Sequence, residues 1–350
     1  MNKIGIICPS EIAFRRFLPA LEKVEGANFY GIAVASYEEW FGNNINDNNT
    51  KVIENETVKA TKFIKKFGGK LFSSYDSIIN DPLVDSIYIP LPPSLHYKWA
   101  KLALEAGKHV FLEKPATDSL ELTTTLIETA MNNKLALHEN YMFVFHKQLS
   151  QIKKIIESKE LGNIRIIRIA FGFPKLNDNN FRYNVDLGGG ALLDCGGYTL
   201  KYATMLLGDS VRVLCATSNY SKDFYVDLYG SATLTNDENQ IAQISFGMDN
   251  DYKCEIEIWG SKGTLFTDRV LTAPPGFTPK AILKKNGEIK NIELSEDDTF
   301  KKSIEYFIEC INCEKLRQNS YSSILSQASL VEEFKNTRER GKKIWRMFQL

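Results

Sequence analysis

The first 140 or so residues alternate short apolar runs with stretches in which apolar side chains recur every three or four positions. The apolar runs read KIGIIC, ANFYGIAVAS, VDSIYIPLPP, HVFLEKP and LALHEN. Between them lie segments such as SLHYKWAKLALEAG, which starts at a serine and stops at a glycine. Short apolar runs are typical of buried strands, and the longer spacing predicts amphipathic helices. Strict alternation of the two predicts a parallel sheet with helices on both faces.

The second half of the chain has a different pattern. Strand-like runs follow one another directly, from IRIIRIAFGF through VRVLCATSNY, DLYGSATLT, IAQISFGM and YKCEIEIWG to GTLFTD. Helical spacing is confined to the segment after Gly190 and the end of the chain. Consecutive strands favour antiparallel pairing, so we predict an α+β domain with a large, mostly antiparallel open sheet.

These patterns predict two domains, residues 1–140 and residues 141–350, with a C-terminal helix that is able to pack back on the first domain. A length of 350 residues suits two domains. The polar, Asn-rich segment FGNNINDNNTKVIENE interrupts the first domain, and we expect it to be a surface loop in the second strand-to-helix connection.

Composition excludes several classes of protein. Hydrophobic residues make up 43% and charged residues 25%, and the 43 Lys and Arg balance the 43 Asp and Glu. Such a chain has no net charge that would attract nucleic acid or an anionic membrane, and it lacks an apolar stretch long enough to span a bilayer.

The six scattered cysteines argue against a disulfide framework and for a reducing, cytoplasmic location. Cys310 and Cys313 form one CxxC in a helical pattern, where two structural thiols are favoured over a zinc or redox pair.

A parallel sheet at the N-terminus raises the question of a dinucleotide. The fingerprint GxGxxG is absent, because Cys8, Ser10 and Ala13 stand at its glycine positions. Ser10 can still cap the following helix, whose N-terminus attracts a diphosphate, and Ile12 and Arg15 belong to the same turn. A nucleotide-free domain of this fold stays open as an alternative.

The end of the second strand indicates which nicotinamide cofactor is preferred. An NAD site places a carboxylate there for the ribose 2′-hydroxyl, whereas this chain has Ser36 followed by Tyr37. Ser36, with Arg15 or Arg16, can bind a 2′-phosphate instead. We therefore favour NADP(H) over NAD(H).

Four motifs together resemble one family. They read IGIICPSEIAFRRFLPALEK, YIPLPPSLHYKWAKLALEAGKHVFLEKPAT, HENYMFVFH and GGGALLDCGGY, and they are similar to motifs of the Gfo/Idh/MocA oxidoreductases. EKP after a strand, followed about 75 residues later by GGGxLxDxGxY, is specific as a combination. Within the family the chain most resembles the sugar 3-ketoreductases of nucleotide-linked deoxysugar pathways, and it also resembles xylose and dihydrodiol dehydrogenases.

The resemblance implies an N-terminal Rossmann domain, a C-terminal domain whose open sheet makes a homodimer or homotetramer, and a catalytic pair formed by Lys114 and Tyr198. Reduction of a ketone makes an alkoxide that needs a proton donor. Tyr198 is a slow acid because a phenol's ordinary pKa lies near 10, and a nearby cation such as Lys114 lowers it. Asp194 lies one helical turn before Tyr198, where it can orient the phenol, bind a substrate hydroxyl or serve the helix dipole.

The remaining candidates follow from the same resemblance. Several have a structural alternative: helix capping for His96, a core position for His146 and a solvated loop for Arg182. The expected dinucleotide contacts are Cys8, Ser10, Ile12, Ala13, Arg15, Ser36, Pro90, Leu91, His96, Glu113, Lys114 and Asn140, and the expected sugar contacts are Tyr141, His146, Arg182 and Asp194. Gly188, Gly189 and Gly190 are expected to let the backbone approach the sugar. No cluster has metal-ligand spacing, and we expect no metal.

The sequence therefore predicts an NADP(H)-dependent sugar oxidoreductase that reduces a 3-keto group of a nucleotide-linked sugar, with Tyr198 as proton donor. One alternative is an NADP-dependent dehydrogenase of free sugars or dihydrodiols. A second is a non-catalytic, dinucleotide-binding regulatory protein, against which the presence of both Lys114 and Tyr198 counts.

Overall fold

A computed structural model describes residues 1–42 and 47–347. The chain forms two compact units. The first comprises Met1–Asn140 and Phe300–Leu325, and the second comprises Tyr141–Thr299 and the chain from Ser326 onward.

The first unit is built on a six-stranded sheet. Its strands are β1 (Asn2–Ile7), β2 (Ala27–Ala33), β3 (Lys70–Phe72), β4 (Ser86–Ile89), β5 (His109–Leu112) and β6 (Leu137–Glu139). Its helices are α1 (Leu18–Leu21), α2 (Tyr37–Phe41), α3 (Asp47–Phe67), α4 (Tyr75–Ile79), α5 (Pro93–Glu105) and α6 (Leu120–Asn132), with a π-helical turn over Ala13–Phe17 before α1.

The strands pair in the order β3-β2-β1-β4-β5-β6, and every pair is parallel. Ile4, Ile6 and Ile7 of β1 are fully buried, as in a sheet covered on both faces. The predicted Rossmann-like parallel sheet is confirmed. Because parallel strands end at one edge, the loops after β1, β4, β5 and β6 emerge together there, and the direction of the strand order changes between β1 and β4.

The second unit contains an eight-stranded sheet. Its elements are α7 (Lys147–Glu157), β7 (Ile164–Gly172), a π-helical turn (Leu192–Gly196), α8 (Gly197–Leu207), β8 (Arg212–Tyr220), β9 (Asp227–Thr235), β10 (Ile241–Gly247), β11 (Lys253–Gly260), β12 (Thr264–Asp268), β13 (Lys280–Lys285) and β14 (Glu288–Glu293). Two helices close the chain, α9 (Thr299–Asn312) and α10 (Glu314–Met347).

The second sheet has the order β14-β13-β12-β11-β7-β10-β9-β8, and its only parallel pair among the described strands is β7 with β10. Ile167 and Ile169 of β7 are buried, whereas Arg168 between them is exposed. This alternation leaves one face open, so the predicted mostly antiparallel open sheet is also confirmed.

Some expectations for individual segments were wrong. The Asn-rich insertion is helical from Asp47 onward. Half-buried Ile53 extends toward the N-terminus the three-to-four spacing that buries Glu56 and Ala60. Residues 43–46 lie outside the described residues. Helix α7, which buries Leu149 and Ile152, was not predicted either. The same is true of the short strands β3, β13 and β14.

Two further observations concern the whole described part of the chain. No helix within residues 1–42 and 47–347 combines the length and the apolar character needed to cross a bilayer. No three His, Cys, Asp or Glu side chains in those ranges are placed to hold a metal ion.

Candidate active site

The turn after β1 takes the conformation that the fingerprint's first glycine would adopt. Cys8 has φ 78, in the left-handed region. Ser10 Oγ accepts a hydrogen bond from the Ala13 amide at 3.2 Å, the capping contact that the sequence predicts. Burial, with a smaller contribution from Glu56, raises the pKa of the Cys8 thiol to about 12, so the thiol stays protonated and unreactive.

The end of β2 is organised by a capping box. Ser36 Oγ accepts from the Glu39 amide at 3.2 Å, and the Glu39 carboxylate accepts from the amide of Ser36 at 2.7 Å. Glu39 also accepts from the amides of Tyr75 at 2.9 Å and Asp76 at 2.8 Å. This carboxylate is thus close to the strand end in sequence, but it is engaged by three main-chain donors. Arg15 is exposed in the neighbouring turn.

The loops after β4 and β5 are joined by a histidine. His96, which is fully buried on α5, places Nε2 2.7 Å from the Leu91 carbonyl oxygen and Nδ1 2.7 Å from the Pro115 carbonyl oxygen. Burial lowers its pKa, and Lys114 adds to that effect. Both ring nitrogens therefore face main-chain oxygens, and a cofactor contact by this ring remains a prediction. Lys114 is half-buried, next to the cis peptide bond that precedes Pro115.

Glu113 and Asn140 are brought together at the ends of β5 and β6. Asn140 Nδ2 donates to Glu113 Oε1 at 2.8 Å, and the Tyr88 hydroxyl donates to the same oxygen at 2.8 Å. Burial raises the pKa of the Glu113 carboxyl, and these two hydrogen bonds oppose that shift. The sequence analysis did not include Tyr88 in the site. Its position near the end of a strand next to β5 is the sequence feature that could have identified it.

In the second unit, Asp194 is paired with Arg182. Arg182 Nε donates to Asp194 Oδ2 at 2.6 Å, and its guanidinium lies 4.6 Å from the centre of the Phe181 ring. Burial works against the charge of Arg182, but Asp194 more than offsets it and raises the pKa of the guanidinium. Arg182 is therefore held by a carboxylate on the π-helical turn that leads to Tyr198, and it acts electrostatically on the Tyr198 phenol as well.

Aromatic rings surround Tyr198. The rings of Tyr141 and Phe171 meet it edge-on at 5.1 and 5.3 Å, and Phe143 lies 5.6 Å away at a tilt. The Tyr198 hydroxyl lies 3.7 Å from Met142 Sδ. Tyr198 is 7% exposed. The ring is thus fixed in orientation by its neighbours.

Two expected sugar contacts are buried. Tyr141 is 2% exposed, and its hydroxyl lies 3.4 Å from Gln327 Nε2. His146 is 3% exposed, and its Nδ1 accepts from the Gln148 amide at 3.1 Å, which caps α7. Sugar binding by either side chain remains a prediction.

Two glycines of the segment GGGALLDCGGY, Gly189 and Gly190, are required by the protein's own packing. A Cβ on Gly189 would collide with the Arg182 carbonyl oxygen, and one on Gly190, which has φ 120, would collide with Asp227. Asp227 Oδ2 accepts from the Leu192 amide at 2.8 Å at the start of this helix. Sequence reasoning missed Asp227, because its partner lies 35 residues earlier in the chain.

Models of two protein-family domains match the chain. The model of an oxidoreductase family with an NAD-binding Rossmann fold matches residues 26–141, and the GFO/IDH/MocA C-terminal domain matches residues 149–266. A dTDP-3,4-didehydro-2,6-dideoxy-alpha-D-glucose 3-reductase from Saccharopolyspora spinosa is 32% identical over 345 residues, which are 97% of this chain and 98% of the relative.

The chain belongs to the GFO/IDH/MocA oxidoreductases. The family resemblance seen in the four motifs is thereby confirmed.

A solved structure extends the similarity of this GFO/IDH/MocA oxidoreductase. The 3-ketoreductase KijD10 from Actinomadura kijaniata, in complex with NADP and TDP-benzene, superposes with a TM-score of 0.87 at 32% identity, over 96% of this chain and 98% of that one. A D-xylose 1-dehydrogenase (NADP(+)) from Haloferax volcanii is 26% identical over 242 residues, which are 69% of this chain and 74% of the relative.

The structure brings Glu113 together with Asn140, His96 with Leu91, and Arg182 with Asp194. Each of these pairs lies within one unit. The pairing of Lys114 with Tyr198 joins residues of different units and remains a prediction.

Proposed function

We propose that this oxidoreductase uses NADPH to reduce the 3-keto group of a deoxysugar carried on a nucleoside diphosphate. The observation that carries the proposal is the end-to-end similarity to enzymes named for this reaction. The Saccharopolyspora reductase aligns with 97% of the chain, and KijD10 binds NADP and TDP-benzene. In this proposal the dinucleotide binds to the first unit and the sugar to the second.

The residues of the first unit fit a dinucleotide phosphorylated on its ribose. The left-handed backbone at Cys8 and the Ser10 cap give the diphosphate a turn of the usual shape despite the missing glycines. Glu39, the carboxylate nearest in sequence to the end of β2, already accepts three main-chain hydrogen bonds. The region of Ser36 and Arg15 is therefore better suited to a 2′-phosphate than to a ribose diol. Glu113 and Asn140 would bind the nicotinamide half.

The bound NADPH supplies the hydride, and this chain supplies the proton. Tyr198 would donate its phenolic proton to the oxygen of the reduced carbonyl, and Lys114 would stabilise the phenolate that forms. Arg182 is a further cation acting on the phenol, and Asp194 holds it in place. The rings around Tyr198 exclude water and fix the direction of its hydroxyl group.

The test is an assay of nicotinamide absorbance with a dTDP-linked 3-keto sugar. We expect oxidation of NADPH, weaker use of NADH, and no comparable reaction with free xylose. Rapid oxidation of xylose with NADP, and no turnover of the keto sugar, would instead support a free-sugar dehydrogenase, the activity that the Haloferax relative is named for. Failure to bind either dinucleotide in a fluorescence titration would support the non-catalytic alternative.

We further propose that the protein is a cytoplasmic homodimer or homotetramer that associates through the open face of the second sheet. Six free cysteines, including exposed Cys215 and Cys313, suit a reducing compartment. Trp259 and Tyr229 are 47% and 48% exposed, a large aromatic surface for a solvated sheet. Light scattering of the purified protein and of a Trp259→Glu variant tests this: a monomeric wild type contradicts it.

A further inference from the structure

We propose that Ser303 and His138 are positioning residues that fix the side-chain amide of Asn140 and, through it, the carboxylate of Glu113. The proposal rests on the proposed function, in which Asn140 and Glu113 bind the nicotinamide half of the cofactor. Ser303 lies outside the four motifs of the family resemblance, and His138 is the first residue of the motif HENYMFVFH. The sequence assigns a function to neither residue.

The four residues form a continuous chain of hydrogen bonds, which is buried except at Glu113, where it is half-buried. His138 Nε2 lies 2.8 Å from Ser303 Oγ, and Ser303 Oγ lies 2.8 Å from Asn140 Oδ1. Asn140 Nδ2 donates to Glu113 Oε1, also at 2.8 Å. Ser303 and Asn140 are fully buried, and His138 is 4% exposed. Because the links between His138, Ser303 and Asn140 are shielded from bulk solvent, a broken link is poorly compensated, and each link constrains the next.

The available protons determine which group donates and which accepts at each hydrogen bond. A serine hydroxyl has one hydrogen, and here it goes to Asn140 Oδ1, so the contact with His138 requires that His138 Nε2 be the donor. If the Asn140 amide were rotated, its oxygen would face the carboxylate of Glu113, and two acceptors would repel each other. His138 therefore selects the orientation of the serine proton, and the serine proton selects the orientation of the amide.

This chain of hydrogen bonds also explains why a distant part of the sequence belongs to the first unit. Ser303 lies on α9, 163 residues after Asn140. His138 packs against the rings of Phe111, Tyr306 and Phe307, which hold it in place from β5 and α9. The end of β6 is thus positioned by a helix from the C-terminal region.

A second buried serine provides a matched control for the test. Ser320 on α10 is also buried, and its hydroxyl donates to the Leu137 carbonyl oxygen at 2.8 Å. Ser303→Ala and Ser320→Ala each remove one buried hydroxyl that ties a C-terminal helix to β6, and only the first touches Asn140. Both variants should lose similar stability, about 1 to 2 kcal/mol.

The expected result is a difference in cofactor binding. Ser303→Ala should raise the Kd and the KM for NADPH about tenfold, the equivalent of one hydrogen bond, with kcat at saturating NADPH nearly unchanged. Ser320→Ala should change none of these quantities. Equal behaviour of the two variants would overturn the proposal.

Three further experiments cover the other outcomes. Nitrogen-15 NMR of the four histidines should find the His138 ring with its proton on Nε2; a proton on Nδ1 alone would overturn the proposal without any reference to the cofactor. If Ser303→Ala does not fold, His138→Gln, which keeps a donor, should bind NADPH more tightly than His138→Leu.

Glu113→Gln separates this proposal from the proposed function. Unchanged NADPH affinity in that variant refutes the contact between Glu113 and the cofactor and leaves the NMR result standing.

Discussion

In the first unit the candidate residues are polar and bonded to one another, whereas in the second unit the candidate acid is surrounded by aromatic rings. Glu113 receives hydrogen bonds from Tyr88 and Asn140, while Tyr198 is packed by Tyr141, Phe143 and Phe171. A polar network holds its members by directional bonds, and a ring cluster holds its central ring by shape. The first arrangement suits recognition of a ribose and an amide, and the second suits a hydroxyl that must give up its proton.

The largest effect should come from removing that hydroxyl. Tyr198→Phe keeps the ring contacts and loses the proton donor, so we expect turnover to fall on the order of a hundredfold or more, with folding preserved. Tyr202→Phe is the matched control: Tyr202 lies on the same helix, its ring also meets Phe143, and its buried hydroxyl has no hydrogen-bond partner among the described residues. Steady-state assays of both variants decide, and full activity in Tyr198→Phe would remove the phenol from the mechanism.

The contrast between the units also explains what the sequence could predict. Hydrophobic periodicity is local, so the parallel sheet, the open sheet and the segments carrying Lys114 and Tyr198 could be predicted from it. Partners far apart in the chain could not: Ser303 reaches Asn140 across 163 residues, and Asp227 reaches Leu192 across 35. Arg182 was recognised as a candidate, but its bond to Asp194 depends on the fold of the loop between them.

The ion pair in the second unit should be the next most sensitive feature. Arg182→Leu removes the guanidinium that donates to the Asp194 carboxylate, whose side chain is 10% exposed. We expect the free energy of unfolding to fall by about 3 kcal/mol, because removing one partner of a mostly buried ion pair is costly.

The double variant Arg182→Leu with Asp194→Asn is the control, since it removes both charges. It should recover most of the lost stability in urea unfolding. Equal stability of the single and double variants would mean that the two side chains do not depend on each other.

Stability of the first unit should depend on pH through His109. Burial, followed by the charge of Arg317, lowers the pKa of this histidine to about 4, and its Nδ1 accepts from the Ala136 amide at 2.9 Å. An unfolded histidine takes up a proton below about pH 6.5, so between that value and pH 4 the unfolded state binds more protons. The free energy of unfolding should therefore fall by about 3 kcal/mol as the pH decreases through this window.

His109→Asn is the control for that pH dependence. An asparagine oxygen can accept from the Ala136 amide and does not titrate, so the variant should lose less stability than the wild type between neutral pH and pH 4. Parallel stability curves for the two proteins would show that His109 is not responsible.

The smallest effect concerns the turn after β1, where the first unit departs from the dinucleotide fingerprint. Cys8→Gly and Cys8→Ala both remove the thiol, and they differ only in a Cβ at a residue with φ 78. Alanine in the left-handed region should make its variant about 1 kcal/mol less stable than the glycine variant. If thermal unfolding ranks alanine equal to or above glycine, the backbone at Cys8 is not under the constraint that its φ indicates. A difference in the expected direction means that the missing glycine lowers local stability although the turn keeps its shape. A search for the fingerprint by residue identity alone therefore fails to detect a turn that keeps the backbone conformation.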